Sequence, residues 1–498
     1  MSIWRTKSIE QSIRDTDEPG HKLRKDLNGF DLIVFGIGVI IGTGIFVVTG
    51  RQAAENAGPA IVVSFLIAGL VCALAAMCYA EFASTVPVAG SAYTFGYASL
   101  GEFVAWIIGW DLVLEFTLAA AVVSVGWSGY AGDLLGVSTS IEIAGWPVNV
   151  GAMFIVVLLG VMGVIGTKLS GRVSAVIVAI KVGIVLLIIG VGVFYVRAAN
   201  WVPFIPPAQD RPAETAEIGH APLTQVLLGL EPSQFGIWGV ISAASIVFFA
   251  FIGFDVVATT AEETKKPKRD MPVGIFGSLI IVTVLYVAVS AIVTGMRPYT
   301  ELGGDAPLAE AFRAVGADWA GTLISLGGVI GITSVILVMM LGQSRVAFAM
   351  SRDGLLPRAL SKTHPRFGTP YVMTIVTTVA VAVLAGFVPI GTLEEMVNIG
   401  TLFAFVVVSI GIIVLRRTRP DLPRAFRAPW VPVLPIIAAL ACLWLMLNLT
   451  VDTWLRFLVW MAIGVVVYFI YGHRKSRLAR GEAVSAPEST GPAPSAEG

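Results

Sequence analysis

Lys181 stands alone as a charge within a run of apolar residues from 173 to 195. It lies eight positions into that run, about 12 Å along a helix at 1.5 Å per residue. A lysine at the centre of a bilayer costs ~2.5–3.5 kcal/mol on insertion scales, and its side chain reaches only a few ångströms back toward an interface. Two readings are open. Either the lysine snorkels near a thinned or tilted region, or it is a desolvated amine that gains and loses a proton in a working cycle. Asp111 and Glu115 lie four apart in another apolar run, 103–131, and so share a helix face. Glu115 is the deeper of the two. Each could relay a proton, contact a substrate or serve as a structural hydrogen-bond acceptor.

A second pattern is interruption. The stretch Phe35-Gly-Ile-Gly-Val-Ile-Ile-Gly-Thr-Gly-Ile-Phe46 places Gly42-Thr43-Gly44 near the middle of its apolar run. Each glycine there costs roughly 1 kcal/mol relative to alanine in a helix. Unwinding at that depth is tolerable only where the freed backbone lines a cavity or finds protein partners. A half-helix beginning at Gly44 would aim N–H donors at a carboxylate, and carbonyls ending the preceding half near Ile41 would accept from an ammonium. An α-amino acid presents both groups. The competing reading is close packing of helices through small residues. Phe248-Phe-Ala-Phe-Ile-Gly-Phe-Asp255 carries a single glycine, Gly253, among aromatics at corresponding depth, and interruptions at matching positions of two halves point to a transport site. Asp255 could cap the second half-helix or contact substrate.

The elements that must position these residues follow from composition. Of 498 residues only 13% are charged and 56% are hydrophobic, with mean hydropathy +0.84. Soluble domains carry about a quarter charged residues, so a polytopic membrane protein is expected. The net charge of zero and the lack of a basic excess disfavour a nucleic-acid partner. Cys72, Cys78 and Cys442 lie in apolar stretches and suggest no disulfide scaffold. Runs long enough to cross a bilayer fall at 30–50, 59–84, 103–131, 148–166, 173–195, 236–261, 273–295, 320–349, 371–389, 393–415, 431–449 and 454–471. Residues 1–28 form a polar N-terminal segment without the pattern of a signal peptide, 29–471 the transmembrane domain, and 472–498 a tail whose end, 481–498, is expected to be disordered.

Lys and Arg sort unevenly between the two sides of this arrangement. Of 33 in all, 26 fall in the terminal segments and even-to-odd connections, six in the other connections, and Lys181 remains inside. By the positive-inside rule both termini are cytoplasmic. The connection 196–235 is the longest on the outer side and too short for a catalytic domain. Gly-Lys does not occur, so a Walker A site is absent, as are H-E-x-x-H and G-x-S-x-G. Gly36-Ile-Gly38 lies in an apolar run rather than after a strand and does not read as a dinucleotide site. The four histidines are scattered and suggest no metal cluster. No enzyme, metal site or cofactor is expected. The run 262–270 (Glu-Glu-Thr-Lys-Lys-Pro-Lys-Arg-Asp) reads as a solvated cytoplasmic loop, part of an inner gate, and Arg345 and Arg352 as anchors at the membrane surface.

These residues resemble the amino acid–polyamine–organocation superfamily of permeases from about residue 20 to 470. Gly36–Phe46 is similar to the family's first-helix motif, Pro87-Val-Ala-Gly-Ser-Ala-Tyr93 to its loop between helices 2 and 3, Glu262–Pro272 to the segment after helix 6, and Ser351-Arg-Asp-Gly-Leu-Leu-Pro357 to that after helix 8. Gly109-Trp-Asp-Leu-Val-Leu-Glu115, Gly126-Trp-Ser-Gly-Tyr130 and Phe248–Asp255 resemble the cationic amino acid transporter subfamily, in particular its bacterial twelve-helix members.

The resemblance implies an all-α leucine-transporter-like fold of twelve transmembrane helices. Helices 1–5 (about 29–196) and 6–10 (about 236–415) would form inverted repeats with helices 1 and 6 broken, and 431–471 would be peripheral. It places substrate at Ile41, Gly42, Thr43 and Gly44 and at Phe248, Ala250, Phe251, Gly253 and Phe254. A lysine on helix 5 stands in proton-coupled relatives where others bind sodium, and Lys181 matches it. Glu115, from its depth in the apolar run rather than from the resemblance, is the second candidate for proton coupling. Met339 and Met340 could wall the side-chain end and favour small neutral amino acids such as alanine, or could simply pack. The expected function is amino acid transport across the cytoplasmic membrane by proton symport and alternating access, with the bilayer and a small amino acid as partners and the proton as coupling ion. An amino acid exchanger and a polyamine permease are the alternatives, and an amino-acid-sensing receptor without transport is a further one.

Overall fold

The computed structural model describes residues 26–85, 91–166, 171–211, 217–258, 260–424 and 426–476. Most of the N-terminal segment, the first four residues of the 87–93 motif, the Glu262 side chain and the tail from 477 lie outside the described residues. The apolar runs fold as helices: α1 (Gly29–Ile40), α2 (Ile61–Thr85), α3 (Glu102–Leu135), α4 (Val150–Ile165), α5 (Gly171–Gly192), α6 (Gly236–Val247), α7 (Pro267–Met296), α8 (Asp318–Arg352), α9 (Tyr371–Phe387), α10 (Ile390–Thr418), α11 (Val433–Leu447) and α12 (Val451–Val467). Among the described residues, eight helical stretches are long and apolar enough to cross a membrane, and α1, α4, α9 and α11 are shorter apolar helices. The chain is a mostly helical, polytopic membrane protein.

Local chemistry sets the helix ends. Asn28 Oδ1 accepts from the backbone N–H of Phe30 and Asp31, while Asp31 Oδ2 accepts from Asn28 N–H at 3.0 Å. This reciprocal capping box satisfies donors that the first turn of α1 would otherwise leave open. Residues 267–270, expected in a loop, instead form the first turn of α7, because Pro267 occupies the first helical position, where its fixed φ fits and its missing N–H costs nothing. The stretch just before α7 pairs with the start of the described chain. Leu27 N–H donates to Glu263 O at 3.0 Å and Lys265 N–H to Leu27 O at 2.8 Å.

Helix α3 and the stretch Gly236–Ala258 are the most enclosed parts of the bundle, whereas the α5 and α12 stretches are largely exposed. Extensive packing joins α2 to α7, α3 to α8, α4 to α9, α1 to α7 and α3 to α10. Leu70, Val176, Ile280, Val379 and Val459 stand on the exterior, an apolar surface suited to lipid rather than water. Two charged ties cross the bundle. Buried Glu81 on α2 accepts from Arg416 Nε at 2.8 Å, Arg416 Nη2 at 2.6 Å and Ala428 N–H at 2.8 Å, with Arg424 Nε at 3.4 Å. At the other end, Arg51 Nη1 meets the fully buried Glu394 at 3.0 Å. Breaking such a pair by removing one partner costs about 3–5 kcal/mol.

Candidate functional site

Helix α1 has 12 residues, about 18 Å at 1.5 Å per residue, which is too short to cross a core about 30 Å thick. It stops at Ile41, whose backbone turns extended at φ −71°, ψ 103°. The chain is helical again from Gly44 and continues as π-helical and α-helical turns to Ala57. Helix α6 changes to 3₁₀ geometry over Phe248–Phe251, becomes extended at Ile252 and restarts as a short helix over Phe254–Ala258. Between them Gly253 has φ +128°, a conformation that side chains with a Cβ rarely adopt.

The two interruptions interlock. A Cβ on Gly44 would lie 2.3 Å from Ala250 Cα and 2.5 Å from its Cβ, so the two backbones touch. A Cβ on Gly253 would meet Val39 at 2.8 Å. Side chains from neighbouring helices donate to carbonyls at and around the first break. Tyr286 OH on α7 donates to Ile40 O at 2.8 Å, Tyr130 OH on α3 to Phe46 O at 2.7 Å, and Lys181 Nζ on α5 to Gly38 O at 2.5 Å. Thr43 Oγ1 donates to Val123 O at 3.4 Å. Asp255 folds back on its own break and accepts from Gly253 N–H at 3.0 Å, so the structure gives it the capping role. A Tyr286→Phe variant keeps the ring that packs on Phe65 and Phe251 and orphans Ile40 O. It is expected to lose about 1–3 kcal/mol of stability, measurable as a lowered midpoint in detergent thermal unfolding.

A cavity of about 20 Å³ lies between the interruptions, lined by Val39, Ile40, Thr43, Gly44, Val123, Phe249, Ile252, Val335 and Met339. It has room for about one water, and an amino acid could enter only if the walls part. Of the residues singled out in the sequence, Thr43, Gly44 and Met339 line it. Ile41 and Gly42 form the turn of the first break, with Gly42 against Val335, and Ala250 abuts Gly44. Phe248 packs on Phe405, Phe251 on Phe65 and Tyr286, and Phe254 on Tyr79 and Phe405. These rings wedge the break against α2, α7 and α10. Met340 is buried next to Met339 but does not line the cavity.

Lys181 is fully buried and rests its stem against Gly331. Its ammonium thus meets α1 one residue before a cavity-lining position, and its stem meets α8 one turn before another, Val335. Glu115 and Asp111 are buried on α3. Neither Asp111 oxygen, nor Glu115 Oε1, has a hydrogen-bond partner among the described residues. Among the described residues no hydrogen bond or ion pair joins them to Lys181, so the structure does not assemble the three into one cluster.

The sequence reading missed Val39, Ile40, Val123, Phe249, Ile252 and Val335 as cavity lining, and Glu81 and Glu394 as buried carboxylates. A lone Glu81 within an apolar run was a usable signal. The apolar lining residues look like any other membrane packing until the fold brings them together.

A helical bundle with an apolar exterior and two interrupted helices meeting at a buried cavity is the build of a membrane transporter. The amino acid permease family profile matches residues 27–471, and the chain belongs to this family. It is 47% identical over 491 residues to the branched-chain amino acid permease BcaP of Bacillus subtilis, covering 96% of this chain and 99% of that protein. It is 45% identical to the methylthioribose transporter of Bacillus subtilis over 96% of this chain and 99% of the relative. It is 35% identical to the vacuolar cationic amino acid transporter 4 of Arabidopsis thaliana over 84% of this chain and 68% of the relative. The chain is accordingly an amino acid permease of the cell membrane, a transporter rather than an enzyme.

Proposed function

We propose that this permease carries neutral, apolar α-amino acids of the branched-chain type by alternating access, in symport with a proton. The observation that carries the reading is the wholly apolar side-chain lining of the central cavity, apart from Thr43, set against backbone groups at two helix breaks. The N–H groups opening the 44–57 segment would hold the carboxylate, carbonyls near Ile41 and Ala250 would accept from the ammonium, and the apolar wall would take the side chain. The similarity to the branched-chain amino acid permease BcaP supports this substrate class. The lean toward alanine becomes one member of the test panel.

Lys181 is the proposed proton carrier, because its ammonium holds a carbonyl of the helix that breaks three residues later. Glu115 is the proposed second carrier. In this reading the chain crosses the membrane twelve times with both termini cytoplasmic, in accord with the 26-to-6 distribution of basic residues. Helices α1–α5 and α6–α10 act as inverted repeats and α11 and α12 are peripheral. The packing of α2 on α7, α3 on α8 and α4 on α9 supports this, since a two-fold relation maps each helix onto the one five later and lets helices near the axis pack on their counterparts. The first interruption likewise meets the sixth helix at Gly44 and Ala250.

Uptake of labelled L-leucine into proteoliposomes, with an inward proton gradient and without one, tests the proposal. Gradient-dependent accumulation, competed by isoleucine and valine more strongly than by alanine, lysine or putrescine, is the expected result. Counterflow without gradient-driven accumulation would favour an exchanger, and competition by putrescine a polyamine permease. The methylthioribose relative supports a second reading, in which a thioether sugar occupies the apolar wall at Met339. Strong competition by methylthioribose with none by amino acids would establish it.

A further inference from the structure

Between α3 and α4 the chain forms a β-hairpin of two four-residue strands, β1 (Ser140–Ile143) and β2 (Trp146–Asn149). Ala144 and Gly145 link them, both at positive φ, as two-residue hairpin turns favour. The register sets Ile141 opposite Val148 and Ile143 opposite Trp146. Directly opposed residues, and alternate residues along a strand, share a face. These four therefore form an apolar face, and Ser140, Glu142, Pro147 and Asn149 form the other. The polar face is tied down at its root, where Asn149 Oδ1 accepts from Ser128 Oγ at 2.6 Å and from Ala152 N–H at 2.9 Å. The apolar face is buried at Val148 but open toward the turn, with Ile143 52% and Trp146 69% exposed. A lone two-stranded hairpin is marginal in water, and one that turns a tryptophan and two isoleucines outward gains nothing there from its apolar face.

The lengths of the adjoining helices point to what meets that face. α4 has 16 residues and α9, which packs on it, has 17. At 1.5 Å per residue these are about 24 and 26 Å long, short of a hydrocarbon core about 30 Å thick. At one end the two helices are tied together, since Thr369 Oγ1 donates to Val164 O at 2.6 Å. The sequence turns basic there within a few residues, with Lys168 after α4 and Arg366 before α9, so the apolar layer does not extend that way. The other end of α4 is Val150, the residue after β2, and β2 packs along α9. On that side the exposed apolar exterior of α4 runs from Phe154 through Val150 into Trp146 and Ile143, beside the exposed Val383 and Phe387 of α9.

We propose that the hairpin is a lipid-binding anchor. Its apolar face, led by Ile143 and Trp146, lies in the outer leaflet at the boundary between headgroups and acyl chains, and the face bearing Ser140 and Glu142 meets water. Tryptophan favours that boundary because its ring is apolar while its N–H finds acceptors among the headgroups. The hairpin supplies the apolar length that α4 lacks. Because its root is bonded to Ser128 of α3, it also sets the height of both helices in the bilayer. The leaflet follows from the orientation proposed above, on which this part of the inference rests.

An environment-sensitive thiol dye tests the anchor in proteoliposomes of phosphatidylcholine and phosphatidylglycerol. Cys72, Cys78 and Cys442 are buried, so dye on Glu142→Cys, Ile143→Cys or Trp146→Cys reports the hairpin, with the wild-type chain as blank. Dye at 143 and 146 is expected to emit at shorter wavelength than at 142. It should be quenched several-fold more by phosphatidylcholine carrying a nitroxide near the headgroup end of its acyl chain, and several-fold less by iodide present on both sides. Equal iodide quenching at all three positions would overturn the anchor. Shielding of 143 and 146 from both iodide and the nitroxide lipid would put protein on that face, a second copy included, and overturn it as well. A membrane-impermeant maleimide added to spheroplasts should modify Glu142→Cys. Modification only after lysis would overturn the leaflet and the proposed orientation together, whereas modification from outside with no lipid quenching would overturn the anchor alone.

Discussion

Replacing Lys181 by alanine is expected to abolish proton-gradient-driven leucine accumulation in proteoliposomes, while counterflow and part of the substrate binding survive. The ammonium donates to Gly38 O at 2.5 Å from a fully buried position. A hydrogen bond from a charged group contributes about 1.5–3 kcal/mol, a factor of roughly 10–100 in the balance between two conformations of α1. In the proposed mechanism, a proton arriving at or leaving Lys181 would change how firmly α1 is held next to its break, which is what coupling requires. Alanine removes this lever and also empties the space its stem fills against Gly331. Lys181→Met separates the two effects, since it restores volume without charge. It should fold, because release from burying the ammonium offsets part of the lost hydrogen bond to Gly38 O, and still fail to accumulate substrate. Gradient-driven accumulation by Lys181→Met at the wild-type level would remove Lys181 from the coupling mechanism.

The second large effect is expected at Gly44. A methyl group there meets backbone, Ala250 Cα at 2.3 Å, and backbone cannot rotate aside. At Gly42 the nearest atom is a Val335 methyl at 3.2 Å, which can. Overpacking of the first kind costs about 1–3 kcal/mol, so Gly44→Ala should lower uptake about tenfold or more and lower the unfolding midpoint, whereas Gly42→Ala stays within about twofold. The compensating change Ala250→Gly removes the opposing Cβ, and Gly44→Ala/Ala250→Gly should recover much of the loss. Equal damage from Gly42→Ala and Gly44→Ala, with no recovery in the double variant, would mean that the contact between the two breaks is incidental.

The helices were legible because their apolar runs are long, and the first interruption because two glycines in three residues are a poor helix. The interior of the second interruption was harder to read. Helical spacing does not hold through Phe248–Phe251 and Ile252, where the backbone is 3₁₀ and then extended, so Phe249 and Ile252 face the cavity while Phe248, Phe251 and Phe254 turn to other rings. The partners of charged residues were not legible at all. Glu81 and Arg416 are 335 positions apart, and Arg51 and Glu394 are 343 apart. Counting charges by side of the membrane says nothing about such pairs. The start of α7 was misplaced because a lysine-rich stretch beginning with proline reads as a loop, while Pro267 is well suited to open a helix.

The smallness of the central cavity has a consequence for the membrane as a whole. A conducting path for protons or salt needs a continuous file of water, and an apolar chamber with room for about one molecule interrupts any such file, since an ion crossing it would have to shed its hydration. Resting in this conformation, the protein is an electrical insulator. A cell can carry many copies in this conformation without short-circuiting its ion gradients.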